Sequence, residues 1–297
     1  MLSGRVSIII PTYNNEDTIS EALDSCVIQD YPFLEIIVSN NASVDRTREI
    51  VERYPQVKLV NLPENIGGID NMNYLLTLTS GEFIVMLCAD DYFTHCKVVA
   101  DMVKAFSQRV GFVGRYYYQF LENDPTPIRS FHTDNPFRSA DNWSGLGFRA
   151  ACMPIRLSKR IFLETADMVK QVLDQGWDYQ ILKYDTVAVR STTGKNGSQN
   201  KFCYVQSPIK NWIDLIGLDY SVLTSFVSLI QIKNWGSHKC LIREIRYFIK
   251  YRPINLLRLD FWFFVSVSLF CPKKILKHLV NFYKVRVGRL ITKRKER

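Results

Sequence analysis

Two adjacent acids, Asp90 and Asp91, close the run Phe83-Ile84-Val85-Met86-Leu87-Cys88-Ala89. The six residues from Phe83 to Cys88 are uncharged and mostly apolar, which reads as a strand buried on both faces, as in a parallel sheet. In open α/β sheets, ligands bind beyond the carboxyl ends of such strands. Neighbouring carboxylates repel each other, so the pair is best tolerated beside a cation, and hard oxygen donors suit Mg2+ or Mn2+. The plainer alternative is a turn in which Asp-Asp caps the next helix.

Three further stretches place polar groups at strand ends. Val6 to Ile10 is an aliphatic, β-branched run that Pro11 stops, and Pro11-Thr12-Tyr13-Asn14 follows. An aromatic there can stack on a nucleobase with the amide hydrogen-bonding beside it; a core or turn tyrosine is the bland reading. Glu35-Ile36-Ile37-Val38 is a second buried strand leaving into Ser39-Asn40-Asn41-Ala42-Ser43-Val44-Asp45, where Ser43 can equally serve as a helix cap. Asn65-Ile66-Gly67-Gly68 allows the backbone to approach a phosphate at a helix start, or forms an ordinary turn. Chance explains one such cluster easily, and four in order poorly.

The elements that must position these groups alternate between strand and helix. A helix is expected over 16–29, with Ile19, Leu23, Cys26 and Val27 on one face. Further helices are expected over 46–54 and from 68 to about 79, a third strand over 57–62, and a fourth over 83–87. Strands and helices at this spacing imply βαβ units and a parallel sheet with right-handed crossovers. After Phe106 the pattern changes. Val110 to Phe120 is strand-like and rich in Tyr, 121–143 reads as a long polar loop, 158–173 as a helix, 185–191 as a short strand, and 192–200 as a Gly/Ser/Asn/Lys-rich loop. From about Ile213 amphipathic helices are expected.

Residues 5–106 resemble the inverting nucleotide-sugar glycosyltransferases of family 2. The matching text is Val6-Ser7-Ile8-Ile9-Ile10-Pro11-Thr12-Tyr13-Asn14, Glu35-Ile36-Ile37-Val38 with Asn41-Ala42-Ser43-Val44-Asp45, Glu64-Asn65-Ile66-Gly67 with Asn73, and Ser80-Gly81-Glu82-Phe83 running to Ala89-Asp90-Asp91. The resemblance implies an α/β GT-A fold, a Rossmann-like, mostly parallel sheet flanked by helices. It implies a nucleotide-sugar-binding half over 1–106, an acceptor-binding half over 107–212, and, over 213–297, a helical, basic, membrane-peripheral extension. Pro11 and Tyr13 would line the nucleobase pocket, Asn41 and Asp45 would grip the nucleoside, and Asn65 and Gly67 would belong to the nucleotide site. Asp90 would touch the ribose or sugar, and Asp91 would hold the Mn2+ or Mg2+ that neutralises the leaving nucleoside diphosphate. In similar enzymes a carboxylate of the second half deprotonates the acceptor hydroxyl. Asp178, in Gly176-Trp177-Asp178-Tyr179, is the best match, with Asp174 and Asp185 as rivals; the bland reading is a solvated turn aspartate.

Three residues depart from the family pattern: Asn40 and Cys88 stand where Asp is common, and Met72 where Arg often precedes Asn73. Without an acid at 88, the pair Asp90/Asp91 is left alone to serve the metal. Lys195, in the 192–200 loop, is a candidate for restoring the lost positive charge.

The net charge of +9 is carried by one segment. From Lys273 onward ten Lys and Arg face a single acid, Glu296, while residues 1–272 are balanced. Nucleic-acid binding by the main domain therefore has little support. The seven cysteines are scattered without a Cys-x-x-Cys spacing, so neither a disulfide framework nor a zinc site is suggested and a reduced compartment is expected. The opening Met1-Leu2-Ser3-Gly4-Arg5 leads into an apolar run too short for a secretory signal. Phe261 to Cys271 is eleven residues, too short to span a bilayer. Followed by Lys273, Lys274 and Lys277, it fits an interfacial segment on an anionic leaflet, or else a buried core helix.

The expected protein is thus a cytoplasmic enzyme, peripheral on the inner face of the cell membrane. It would move a sugar from a nucleotide-diphosphate donor, UDP-sugar favoured, to a hydroxyl of a lipid-linked glycan during surface-polysaccharide assembly, O-antigen included. The rivals are an inactive glycan- or membrane-binding module and a nucleotidyltransferase. The latter would want a Gly/Lys-rich loop after the first strand, which Pro11-Thr12-Tyr13-Asn14 does not supply.

Overall fold

The computed structural model describes residues 4–122, 124–140, 142–152, 156–157 and 164–191, with isolated helical positions at 242, 245, 246, 249, 262, 266 and 270. Lys195, the 192–200 loop and the basic segment from Lys273 lie outside the described residues, as does nearly all of the expected C-terminal extension. Residues 1–157 and 165–193 make one compact unit, which contains the whole sheet.

In chain order the elements are β1 (Val6–Thr12), α1 (Ile19–Val27), β2 (Leu34–Asn40), α2 (Thr47–Val51), β3 (Val57–Asn61), α3 (Gly68–Leu78) and β4 (Phe83–Met86). They continue as β5 (Tyr92–Phe93), α4 (Val98–Ala105), β6 (Val110–Leu121), β7 (Asp124–Phe131), α5 (Pro136–Ser139), β8 (Leu146–Arg149), α6 (Glu164–Asp174) and β9 (Asp178–Ser191). The sheet order is β3-β2-β1-β4-β8-β6-β9-β5, with β7 paired to the outer part of β6. β1 pairs in parallel with both β2 and β4, and β6 in parallel with β9. β8 runs antiparallel between β4 and β6. β1 to β4, β6 and β9 therefore all point their carboxyl ends to one edge, and residues 1–106 and 107–191 share a single continuous sheet.

The period-2 alternation of β1 explains its two-sided burial. Val6, Ile8 and Ile10 face a cluster with Ile19, Leu23 and Cys26 of α1 and Val99 and Met102 of α4. Ile9 faces the other way, onto Met72 and Leu75 of α3 and Met168, Val169 and Val172 of α6. Each such fully buried aliphatic contributes about 1.5–3 kcal/mol, so the strands carrying the polar exits are held from both faces.

Two elements differ from the sequence expectation. The 121–143 loop contains β7, whose residues are mostly exposed and include Pro125 and Pro127. Proline is tolerated on an edge strand because no ladder partner needs its missing N–H, and an exposed edge leaves no apolar alternation to read. β9 begins seven residues before the expected Asp185, because its first part, Asp178 to Gln180, is exposed and shows no buried face.

At the amino edge of the sheet Gly81 donates its N–H to Ser7 Oγ at 2.8 Å. A Cβ there would come within 2.7 Å of Ser7 N and 2.8 Å of Arg5 O, both backbone atoms. Gly81→Ala should accordingly cost about 1–3 kcal/mol as an overpacking defect, read as a lowered urea midpoint with unchanged m-value.

Candidate active site

β1 sends the chain through α1 to β2 on one side, whereas β4 enters on its other side. The crevice between the carboxyl ends of β1 and β4 is thus a topological switch point, the place where open α/β sheets take ligands. Pro11 helps to open it. Register pairing between β1 and β4 ends at Ile9–Met86, and the last link is Leu87 N–H to Ile9 O at 3.1 Å. Two residues later on the same side of β1 stands Pro11, which has no N–H to continue the ladder.

One wall of the crevice is a set of loops stitched by short polar side chains. Asn14, at φ +54°, donates its N–H to Ser43 Oγ (3.0 Å) and accepts from Val44 N–H (2.9 Å). Asp45 accepts from Glu16 N–H (3.1 Å), Thr47 N–H (3.0 Å) and Thr47 Oγ1 (2.6 Å). Burial works against its charge, but these hydrogen bonds outweigh that and hold its carboxyl below the usual aspartate range. Asn41 donates to Asn65 Oδ1 and accepts from Ile66 N–H, both at 2.9 Å. Asn65 Oδ1 also takes Gly67 N–H at 2.9 Å. Gly67 has φ +88° with open space where a Cβ would sit, so glycine is required there by the backbone rather than by a close neighbour. Of the expected nucleotide residues, Pro11, Asn41, Asp45, Asn65 and Gly67 thus form the wall itself. Tyr13 stands out from it, 45% exposed.

The opposite wall is the turn after β4, closed by Asp91 N–H to Cys88 O at 3.2 Å. This turn brings residues 88 and 91 side by side with Asp90 between them, and the Cys88, Asp90 and Asp91 donor atoms lie within 4.8 Å of one another. Asp91 is only 4% exposed. Ser144 Oγ donates to Asp91 Oδ2 and accepts Cys88 N–H at 2.9 Å, and Arg190 N–H donates to Asp91 Oδ1 at 2.8 Å. Burial first, and then the neighbouring Asp90 charge, push the Asp91 carboxyl well above its ordinary range. Burial and the same two carboxylates push the Cys88 thiol up as well. Ser144, Arg190 and the charge of Arg115 offset the Asp91 shift only in part. Two hard oxygens and one thiol at this spacing fit a divalent cation, which would relieve both effects.

Three residues of this wall carry no signal in the motif. Arg115, fully buried, donates through Nε to Ser144 O (2.7 Å), through Nη2 to Asn142 Oδ1 (2.5 Å) and through Nη1 to Ser139 O, and lies 4.3 Å over the Tyr117 ring. It shapes the segment that presents Ser144; a lone Arg in a strand of Tyr and Val is the clue to it. Arg190 reaches Asp90 O (3.1 Å), Glu122 O (3.4 Å) and Glu21, 4.7 Å over the Phe120 ring. Ser144, inside a polar stretch, leaves no readable sign.

Asp178 is not brought to this site. It opens β9 opposite Val110, paired with Arg109 at 3.4 Å, at the amino edge of the sheet. Residue 190, which does reach Asp91, lies twelve positions along the same strand, about 40 Å at the rise of an extended chain. Strand direction overturns this candidate: the residue at the start of β9 faces the wrong edge. The rivals fare no better, since Asp174 ends α6 with Lys170 as its partner and Asp185 bonds His132 at 2.9 Å. Asp167, on the preceding helix α6, is different. One turn away, Thr165 Oγ1 bonds Ala140 O beside the segment that carries Ser144. Asp167 accepts from Gln171 Nε2 at 2.9 Å, and burial pushes its carboxyl up.

Comparison with known proteins adds three findings. The sequence pattern of the family described as Glycosyl transferase family 2 matches residues 7–165. Poly(ribitol-phosphate) beta-N-acetylglucosaminyltransferase TarS of Staphylococcus aureus is 38% identical over 94 residues, which is 30% of this chain and 16% of TarS. WfaP of Escherichia coli, a UDP-Glc:alpha-D-GlcNAc-diphosphoundecaprenol beta-1,3-glucosyltransferase, is 31% identical over 121 residues, 40% of this chain and 47% of WfaP. The chain therefore spans less than half the length of either relative. Among solved structures, TarS 1–349 with UDP-GlcNAc superposes with a TM-score of 0.56 at 19% identity, covering 96% of this chain and 88% of that one. The mannosyltransferase PcManGT of Pyrobaculum calidifontis, with GDP-Man and Mn2+, gives 0.54 at 18% identity, covering 95% and 88%. These likenesses show the fold, the expected GT-A arrangement.

Two outcomes follow from the geometry. A carboxyl with a raised folded pKa binds its proton more tightly folded than unfolded, so stability falls as pH rises above its unfolded value of about 4. Asp91→Asn keeps both hydrogen-bonded neighbours, because the Ser144 hydroxyl can turn to accept. It should raise the melting temperature of the metal-free protein at pH 7 by about 2–4 °C, the shift that 1 kcal/mol gives in a domain of this size, with the gain shrinking towards pH 4. Asp178→Asn should leave nucleotide affinity and transfer unchanged, checked by titration calorimetry and a sugar-transfer assay.

Proposed function

The chain belongs to glycosyl transferase family 2, and from that premise we propose that it transfers a sugar from a nucleoside-diphosphate sugar, with UDP-sugar as first choice, to a hydroxyl of a lipid-linked glycan in surface-polysaccharide assembly. The observation that carries the reading is the convergence of Asp90 and Asp91 on the switch-point crevice, opposite the exposed Tyr13. UDP is favoured because TarS is known with UDP-GlcNAc and WfaP is named for UDP-Glc. The lipid-linked acceptor is supported by WfaP's diphosphoundecaprenol substrate.

In this reading Tyr13 stacks on the base and Pro11 lines its pocket, while Asn41, Asp45, Asn65 and Gly67 keep the loops around the nucleoside at fixed spacing. Asp90 faces the ribose and sugar. Asp91, with Cys88 and Asp90 beside it, would hold Mn2+ or Mg2+, which when bound stabilises negative charge on the departing diphosphate. Ser144 and Arg190 orient the Asp91 carboxylate. Asp167, raised by burial towards the range a general base needs at neutral pH, takes the acceptor proton in place of the excluded Asp178, in a single displacement that inverts the anomeric carbon.

A peripheral membrane location is supported by Trp262 and Phe270, helical positions that are 42% and 81% exposed, ahead of the basic segment from Lys273. No helix among the described residues is long and apolar enough to cross a membrane.

The deciding experiment is a thermal-shift panel of UDP, GDP, dTDP and CMP with and without Mn2+. Saturation of a true site at 100 times Kd adds about 2.7 kcal/mol to stability, so UDP with Mn2+ should give a clear rise that Asp91→Asn abolishes. A rise with GDP alone would move the donor class, and no rise with any nucleotide would sink the reading. Tyr13→Ala should weaken UDP binding by about 1–3 kcal/mol, the usual worth of base stacking on an aromatic. Asp167→Asn should keep that UDP binding and lose transfer; near-normal transfer would remove Asp167 from the mechanism. Deleting residues 273–297 should abolish co-sedimentation with anionic vesicles and leave the UDP response intact.

A further inference from the structure

The turn after β4 holds a thiol where the resemblance leads one to expect a carboxylate. Cys88 is half-buried, and its sulfur and the Asp90 and Asp91 oxygens lie within 4.8 Å of one another. In sites with both donor types, metal–sulfur bonds are about 2.3 Å and metal–oxygen bonds about 2.0–2.2 Å, so two donors on opposite sides of one ion stand up to about 4.5 Å apart. The three donors therefore need to close by only a few tenths of an ångström to share an ion. Their spacing is not accidental flexibility. The Asp91 N–H to Cys88 O bond closes the turn, and Ser144 Oγ ties the Cys88 N–H to the Asp91 carboxylate from a separate segment. Arg190 N–H fixes the other Asp91 oxygen at 2.8 Å, leaving each carboxylate oxygen a lone pair.

We propose that Cys88 is a direct ligand of the divalent ion, so that this site is a mixed thiolate–carboxylate site that prefers thiophilic ions such as Co2+, Zn2+ and Cd2+ over Mg2+. On binding, the Cys88 S–H bond breaks, its proton leaves to solvent, and the sulfur lone pair forms the metal–sulfur bond; no oxidation state changes. Two carboxylates alone would suit Mg2+ and Mn2+, whereas a thiolate donor shifts selection towards softer ions. Mg2+, which demands near-ideal octahedral oxygen donors, is the ion most disfavoured by the change. The other described cysteines offer no comparable donor set: Cys26 and Cys152 are buried in the core clusters, and Cys96 is exposed away from the turn.

The inference rests on the proposed metal-binding role of Asp91, and the test separates the two. The full-length protein is titrated with Co2+, following the sulfur-to-cobalt charge-transfer absorption in the near ultraviolet, and with Mn2+ plus UDP, following the melting temperature. Wild type should show the charge-transfer band saturating at one equivalent. Cys88→Ser should lose that band yet keep a Mn2+-dependent UDP response, and its preference for Cd2+ over Mg2+ should fall by about tenfold or more. Asp91→Asn should lose both signals. A wild-type protein that responds to Mn2+ and UDP without the band, or a band that persists in Cys88→Ser, overturns the thiolate ligand and leaves the metal reading standing. No response to either ion in wild type overturns both.

Discussion

Two carboxylates on consecutive residues, one of them nearly removed from water, set the terms for the rest of this structure. Alone, such a pair would protonate or drive the turn open. Asp91 is instead met by hydrogen-bond donors from two remote segments, Ser144 and Arg190, while the buried guanidinium of Arg115 holds the Ser144 segment in place. Even so the balance is incomplete, and the Asp91 carboxyl stays raised. A residual cost of this kind is what a site for a cation carries when its donors are arranged before the ion arrives. It also explains why the acid pair sits at a switch point: only there do β1 and β4 separate, so that a ligand and its counter-charge can enter from solvent.

The support comes from a sheet that joins both halves of the chain. β8 inserts antiparallel between β4 and β6, and β9 runs parallel to β6. The Asp90–Asp91 turn at the end of β4 is thereby flanked by Ser144 just ahead of β8 and by Arg190 near the end of β9. A donor half and an acceptor half joined only by a linker could not hold these hydrogen bonds at 2.8–2.9 Å. The continuous sheet makes the spacing of the acid pair a property of the whole unit rather than of its own turn.

The donor-side half was legible because its signals are local. An apolar run ending in two acids, a β-branched run stopped by proline, and Asn-rich strand exits each report on their own neighbourhood, and the structure puts all of them at one edge. The acceptor-side half was not, for three physical reasons. β7 and the first part of β9 are exposed, so no alternation marked them, and the sequence reading began β9 at Asp185. That shortened strand left Asp178 looking like a loop residue, when it is the first residue of a long strand at the far edge. Ser144 and Arg115 act through tertiary contacts, which one sequence does not display. Cys88 was read as a lost ligand because only carboxylates were counted; the turn places its sulfur among the donors.

Arg190 shows how the two halves are tied at the point where chemistry would occur. Its backbone N–H serves Asp91, its Nε the Asp90 carbonyl, its guanidinium Glu21 of α1 and the Glu122 carbonyl beyond β6, and its face the Phe120 ring. One residue thus senses the acid pair through its main chain and the nucleotide-side helix through its side chain. The main-chain bond is the consequential one. A change in the position of Asp91 on taking up a charge partner must either stretch a 2.8 Å bond or move the end of β9 with it. Because β9 is paired with β6 along its length, including Leu121 opposite Ser191, the strand resists sliding, and the less costly response is for the ion to come to Asp91. The site is therefore stiff on its acid side, and the adjustment on binding falls to the exposed Tyr13 wall, where the chain is held by side-chain hydrogen bonds rather than by a ladder.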